Sequence, residues 1–212
     1  MPIRVFGLTG GIASGKSTVA KRLRARRLPV VDADELARQV VAPPSPALDE
    51  IRTAFGDSVF DGDELDRSAL AGRVFSDPPA LEALNRIVHP RVRQLARARV
   101  AALEAEGHPL ACYEVPLLFE AGLDREYRPV VVVTAPETLC IERARRRSSL
   151  TEKEVRSRMN AQWPLAEKAA LADYVIANDG TLDRTRRDAD ATLDAIATAF
   201  GVDLARYPRP AT

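Results

Sequence analysis

The sequence predicts an α/β protein: a parallel sheet joined by right-handed helical crossovers, with a helical lobe inserted between its second and third strands. Three observations predict it. Short β-branched apolar runs alternate with stretches of helical periodicity, the pattern of βαβ units. The first apolar run leads into a glycine-rich loop that opens a helix, and the interval from about residue 48 to 107 holds helical patterns almost throughout. With 212 residues and 46% hydrophobic side chains, the chain suits one core of ordinary size.

Residues 3–9 read as the first strand, which stops at Gly10-Gly11. From Lys16 to about residue 27, Val19, Ala20 and Leu23 fall at helical spacing, with cationic side chains in the last turns. Residues 29–32 form a second strand and 34–41 a helix, ended by Pro43, Pro44 and Pro46. Helical patterns follow at Leu48/Ile51/Phe55, Leu70/Val74, Leu81/Leu84/Ile87/Val88 and Val92/Leu95/Val100/Leu103. Asp61-Gly62-Asp63 and Asp77-Pro78-Pro79 supply turns, and His89-Pro90 is expected between two helices. Strands resume at 110–115 and 129–134. Residues 137–171 are helical with breaks at Ser148-Ser149 and Pro164, 174–176 form a last strand, and 182–200 a closing amphipathic helix. The tail from Tyr207, with two prolines, is expected to fray.

Composition excludes several classes of function. Lys+Arg 31 against Asp+Glu 30 gives a formal charge of +1, so bulk nucleic-acid binding is not expected. The longest apolar run is Val130–Val133, far short of the ~20 residues of a membrane span, and the early strand leaves no room for a leader peptide. Cys112 and Cys140 make neither a disulfide framework nor a zinc pattern. The expectation is a cytoplasmic protein with reduced thiols and neither membrane nor nucleic acid as partner; nothing signals an oligomeric state. Of the basic residues, 27 are Arg and 4 are Lys, so each Lys position carries information.

One of those lysines closes Gly10-Gly11-Ile12-Ala13-Ser14-Gly15-Lys16-Ser17, a gapless match to G-x-x-x-x-G-K-[ST]. At this composition the pattern would arise by chance with a probability of roughly 0.001. The strand before it and the helix inside it are the context a phosphate loop requires. Its glycines let the backbone close on a phosphate, successive N–H groups form an anion nest, and the helix N-terminus adds its positive end. Lys16 would meet the β- and γ-phosphates, and the Ser17 hydroxyl would ligate Mg²⁺. Kinases, GTPases, motors and ATP switches share this loop. The Asn-Lys-x-Asp tetrapeptide of guanine readers does not occur, and 212 residues are few for a motor. A small-molecule kinase is favoured, with a nucleoside or sugar acid among the acceptors left open; the rival from another class is an ATP switch or RNA-binding module gripping phosphates through its arginines.

Asp32 and Asp34 stand where the second strand ends, at the carboxyl edge where open α/β sheets bind ligands. One of the pair could take the proton of an acceptor hydroxyl; alternatively Asp34 caps the next helix and Asp32 is a surface residue. Glu114 ends the third strand, either helping to hold Mg²⁺ through water or as a buried structural carboxylate. The apolar Pro116-Leu117-Leu118-Phe119 offers an edge to a substrate. Arg143 and Arg147, four apart, share a helix face, readable as phosphate-closing lid arginines or as a solvated face. His89, Trp163 and Cys140 need no role beyond packing.

These stretches together resemble the dephospho-coenzyme A kinase family over nearly the whole chain. The resemblance rests on 7–18 (GLTGGIASGKST), Val31-Asp32-Ala33-Asp34, Leu65-Asp66-Arg67, Leu84-Asn85-x-x-Val88-His89-Pro90, 115–120 (VPLLFE) and 172–178 (ADYVIAN). It implies a three-layer α/β/α P-loop NTPase core (residues 1–57 and 109–212), a helical CoA-side lobe about 58–108 and a lid about 143–165. The implied activity moves the γ-phosphoryl of ATP, with Mg²⁺, to the 3′-hydroxyl of dephospho-CoA. By position, Asp34 resembles the base, with Lys16 and Arg143 as catalytic charges. Gly11, Ile12, Ala13, Ser14, Gly15, Lys16, Ser17, Thr18, Arg147 and Asn178 fall on the nucleotide side, Asn178 near adenine. Asp32, Asp34, Arg67, His89 and Leu118 fall on the acceptor side, with Ser17 and Glu114 toward the metal. Three positions depart from the family: Ala13 for a usual Gly, which should keep φ negative or be strained; Glu114 for Asp; and Pro44-Ser45 for Pro-Gly.

Overall fold

The computed structural model describes residues 2–75, 77–148 and 150–210. They form two compact units, one of residues up to Val31 together with those from Ala102 onward, the other spanning Asp32–Ala101. The second unit thus starts upstream of the lobe boundary expected at 58.

The first unit is built on a five-stranded sheet. Its strands are β1 (Arg4–Gly10), β2 (Val30–Asp32), β5 (Leu110–Glu114), β6 (Val130–Thr134) and β7 (Tyr174–Ala177), in the order β2-β5-β1-β6-β7. The chain therefore crosses over between neighbours, as parallel pairing demands. β1 pairs parallel with β5, from Arg4 opposite Leu110 to Leu8 opposite Glu114, and with β6; β6 pairs parallel with β7. β5 is buried along its length and β6 nearly so, which is why both read as unbroken apolar runs. On one face, Phe6, Leu8, Cys112, Val131 and Val133 pack against Val19 and Leu23 of α1 (Lys16–Ala25) and Leu193 and Ile196 of α9 (Leu182–Ala199). With helices on both faces, the core is the expected three-layer α/β/α sandwich.

The C-terminal segment does not fray at Tyr207. After a 3-10 turn at Leu204–Arg206, Tyr207 is 2% exposed, and its hydroxyl donates to the Leu110 carbonyl at 3.1 Å. Buried Arg26 donates to the carbonyls of Tyr207 and Asp190, and pairs with Asp194 at 2.5 Å. A fully buried guanidinium demands such partners, and the tail supplies one of them. Ala211 and Thr212 lie outside the described residues.

The segment expected as one broken helical run is three helices, α6 (Glu137–Ser148), α7 (Glu152–Asn160) and α8 (Leu165–Ala170). Thr151 and Glu154 form a reciprocal capping box that starts α7. Of the expected Ser148-Ser149 break, Ser149 lies outside the described residues.

The second unit holds α2 (Ala33–Val40), α3 (Pro46–Phe55), a hairpin of β3 (Phe60–Asp61) and β4 (Glu64–Leu65), α4 (Arg67–Phe75) and most of α5 (Pro78–Ala105). Ile51, Phe55, Val59, Leu70 and Val74 form its core, with Leu84 and Ile87 packed on. Ser45 caps α3 ahead of Pro46, accepting from the Ala47 amide and donating to the Val40 carbonyl, so the Pro44-Ser45 departure has a defined role. Two features correct the reading of an all-helical interval. The Asp61-Gly62 turn closes a hairpin whose two-residue strands are too short to show a period. Pro90 lies inside α5 and does not separate two helices; among the carbonyls in that turn, that of Ile87 accepts from the Arg91 guanidinium at 2.7 Å.

Candidate active site

β1 delivers the chain into a loop whose glycines answer to particular neighbours. A Cβ on Gly10 would lie 2.6 Å from Ser14 Oγ and 2.7 Å from the Val133 carbonyl oxygen. Gly15 caps α1 at φ 99°, and a Cβ there would fall 1.8 Å from Asn178 Nδ2. Ala13 does not keep a negative φ; it sits at φ 54°. A left-handed non-glycine residue costs about 1–2 kcal/mol, while burying a methyl-sized group returns about 0.8 kcal/mol. Ala13 packs against the cluster of Ile141, Ala144 and Val155 from α6 and α7, and that packing offsets part of the strain.

Lys16, in the first turn of α1, reaches Glu114 at the end of β5, Nζ to Oε1 2.7 Å. The Glu114 side chain is only 4% exposed, and Arg24 Nη2 lies 3.6 Å from its second oxygen. That oxygen and Ser14 Oγ are buried without a hydrogen-bond partner among the described residues. The Ser17 side chain, one residue on, is exposed. A hydroxyl and an under-used carboxylate oxygen are the hard donors Mg²⁺ takes, so these residues fit that ion. Among the described residues no group of three or more His, Cys, Asp or Glu could hold a metal by itself. This suits an ion that keeps water and substrate phosphates among its ligands.

Asn178 is buried, and its side chain is committed: Nδ2 donates to the Ser14 carbonyl at 2.8 Å and Oδ1 accepts from Thr185 at 2.9 Å. It braces the loop from beneath, while its own carbonyl accepts from Arg143 at 3.1 Å. Arg143 is half-buried, whereas Arg147 is exposed in the last turn of α6. Thr18 follows Ser17 in α1, its amide bonded to the Gly15 carbonyl at 2.9 Å.

The residues after α7 come down on the loop. Gln162 Oε1 accepts from the Ile12 amide at 3.2 Å, and Leu165 lies over Gly11. The Trp163 amide donates to Glu120 at 2.9 Å, its ring stacked on Phe119. The same Glu120 oxygen pairs at 2.6 Å with Lys168, which is wholly buried and also donates to the Pro116 carbonyl. Sequence reasoning passed over Gln162, Glu120 and Lys168; the scarcity of lysine was the one signal for the last. Leu118, expected at the substrate edge, is instead wholly buried where a Cβ on Gly7 would meet it at 2.5 Å, and the exposed member of the run is Leu117. Burial pushes the Cys112 and Cys140 thiols up in pKa, away from the thiolate form.

In the second unit the capping role falls to Asp32, not Asp34. Asp32 Oδ1 accepts from the amides of Asp34 at 2.9 Å and Glu35 at 3.2 Å, which leaves Asp34 exposed in the first turn of α2. Arg67 opens α4, its guanidinium 3.5 Å from the Arg38 carbonyl. His89 lies on α5, with desolvation first and then the Arg93 charge lowering its pKa.

A phosphate cradle between the central strand and first helix of a crossed-over parallel sheet is how P-loop nucleotide-binding proteins are built, and this chain is one. A family model described as dephospho-CoA kinase matches residues 4–184. A dephospho-CoA kinase of Anaeromyxobacter dehalogenans is 49% identical over 97% of this chain and 98% of its own. Another, from Syntrophotalea carbinolica, is 50% identical over 86% and 87%. The solved dephospho-CoA kinase of Campylobacter jejuni superposes with a TM-score of 0.69 at 25% identity, covering 92% of this chain and 98% of that one. A solved Thermus thermophilus protein reaches 0.82 at 39% identity over 92% and 99%. The chain belongs to the dephospho-CoA kinase family. Among the described residues no helix is long and apolar enough to cross a membrane.

Proposed function

We propose that this protein transfers the γ-phosphoryl group of ATP to the 3′-hydroxyl of the dephospho-CoA ribose, giving CoA and ADP, with Mg²⁺ as cofactor. The observation that carries the reading is the loop from Gly10 to Ser17, braced by Asn178, with Lys16 held at Glu114, in a chain of this family. The acceptor oxygen forms its bond to the γ-phosphorus as the bridging bond to the β-phosphate breaks and ADP leaves. Loop amides and Lys16 receive the charge that builds on the transferring group, where fixed donors act most strongly. Arg143 and Arg147 are assigned as the lid's charges on the phosphates. Asp34 is assigned to position the hydroxyl and accept its proton late, since a loose transition state needs little prior deprotonation. Arg67 and His89 are assigned to the acceptor side. Ser17, and Glu114 through water, would hold Mg²⁺, which when bound neutralises phosphate charge. The setting is that of a cytoplasmic biosynthetic enzyme acting on small molecules.

An assay coupling ADP release to NADH oxidation, run with dephospho-CoA beside a panel of nucleosides and sugar acids, tests the reading. Turnover with dephospho-CoA alone is expected; preference for any other acceptor would overturn it.

A further inference from the structure

The stretch from α6 to α8 touches three successive residues of the phosphate loop. The Ile141, Ala144 and Val155 cluster takes Ala13, Leu165 lies over Gly11, and Gln162 Oε1 holds the Ile12 amide at 3.2 Å. The first two contacts are apolar and leave the loop's donors available. The third does not: the amide of Ile12 belongs to the row of N–H groups that a phosphate nest offers to an anion. A side-chain amide oxygen is a neutral acceptor on an N–H that an anion would otherwise be free to take. Its position is set from both sides, because the next residue, Trp163, is pinned through its amide to Glu120. That carboxylate is in turn held by Lys168, which is wholly buried. The backbone beside Gln162 is therefore anchored through that ion pair, so a side chain that rotates away can return to the same place.

We propose that Gln162 is a positioning residue that competes with the nucleotide for the phosphate loop. An arriving phosphate takes the Ile12 amide and displaces the Gln162 side chain, while the Glu120–Lys168 pair keeps the backbone beside it in place. This rests on the reading of the loop as an ATP site. It makes two demands that a merely structural glutamine would not. Removing the competitor must tighten nucleotide binding, because one hydrogen bond no longer has to be surrendered. Giving the competitor a negative charge must weaken it, because a carboxylate holds the amide more strongly and also repels phosphate.

Calorimetric titration of ADP into the full chain and into Gln162→Ala, Gln162→Asn and Gln162→Glu tests this, with kcat for dephospho-CoA measured on the same preparations. Gln162→Ala should lower the Kd for ADP about 2- to 12-fold, the factor equivalent to one net hydrogen bond. Gln162→Asn, one methylene too short to reach Ile12, should do the same and stands in should the alanine variant fail to fold. Gln162→Glu should raise the Kd by about tenfold or more. An unchanged or higher Kd in the two shortened variants would overturn the proposal, since Gln162 would then be a bystander or a direct ligand. The functional reading fails separately: if the parent chain binds ADP but does not turn over dephospho-CoA, the competition can still be read from the Kd values.

Discussion

Replacing Lys16 by methionine keeps the length of the side chain and removes its charge, and the structure makes two separable effects follow. The first is catalytic. A cation aimed at charge that develops on the transferring phosphoryl is worth about 3–4 kcal/mol, so kcat should fall about 10²- to 10³-fold. The second is structural, because Lys16 also sits 2.7 Å from Glu114, whose side chain is 4% exposed. Breaking a buried pair by removing one partner typically costs about 3–5 kcal/mol. Here the Lys16 side chain is 15% exposed and Arg24 remains 3.6 Å from the other carboxylate oxygen, so roughly 1–3 kcal/mol is expected. At about 2–4 °C per kcal/mol for a chain of this size, the melting temperature should drop by roughly 2–12 °C. Adding Glu114→Gln should separate the two effects. The neutral amide no longer strands a charge, so the double variant should regain most of the lost melting temperature while its kcat stays low. The assays are a thermal scan and steady-state turnover with dephospho-CoA. Recovery of kcat in the double variant would show that Lys16 serves only to neutralise Glu114, and a Lys16→Met variant with unchanged melting would remove the ion pair from the stability argument.

Asp34→Asn should depress kcat by roughly 10²- to 10⁴-fold at unchanged melting temperature. Asp32→Ala should cost about 1 kcal/mol through loss of the α2 cap, a loss Asp32→Asn avoids; full kcat in the Asp34 variant, with loss in Asp32→Asn, would move the base to Asp32. Arg143→Ala and Arg147→Ala should each lower kcat more than ADP affinity under the proposed assignment of both to transition-state charge; equal losses in both quantities would contradict that assignment. Gly15→Ala should abolish calorimetric ADP binding, because its Cβ collides with Asn178 and φ is 99°. His89 has a folded-state pKa below its unfolded value of about 6.5, so its neutral form is favoured on folding. Its contribution to stability is present above that unfolded value and is lost as pH falls through the lowered folded one. Arg93→Gln should move the NMR titration of His89 upward, and an unmoved curve would exclude Arg93 as a cause.

Much of the site could be read before the fold because its phosphate-binding groups are contiguous. A phosphate loop is a local device: glycines, a helix start, a lysine and a hydroxyl within eight residues, each demanded by backbone geometry that neighbours in sequence control. The buried strands were legible for a similar reason, since β5 and β6 are covered on both faces and need unbroken apolar runs. Where two local solutions were nearly equal in energy, tertiary structure chose. Asp32 and Asp34 are both competent caps, and the helix start at Ala33 gave the role to Asp32. Pro90 would end a helix of its own accord, yet α5 runs through it, with Leu84 and Ile87 packed on the second unit's core before it and Val92, Ala96 and Leu103 buried after it. The hairpin at Phe60–Leu65 has strands too short for any period to declare them. Ala13 takes a strained φ that its residue type argued against, because a cluster of α6 and α7 side chains 128 or more residues away packs on its methyl group.

The contacts made across long intervals were the ones the sequence left unmarked. Gln162 meets Ile12 across 150 residues, Asn178 meets Ser14 across 164, and Tyr207 is clasped by Arg26 across 181. Each is an ordinary polar residue whose own neighbours in sequence say nothing of a partner. By itself the sequence determined the alternation of strands and helices, the phosphate loop and the family's chemistry, since these rest on local periodicity and contiguous motifs. Only the tertiary structure decided what braces the loop, what occupies its amides and which carboxylate holds its lysine, because a buried polar group is satisfied by whatever the fold brings beside it.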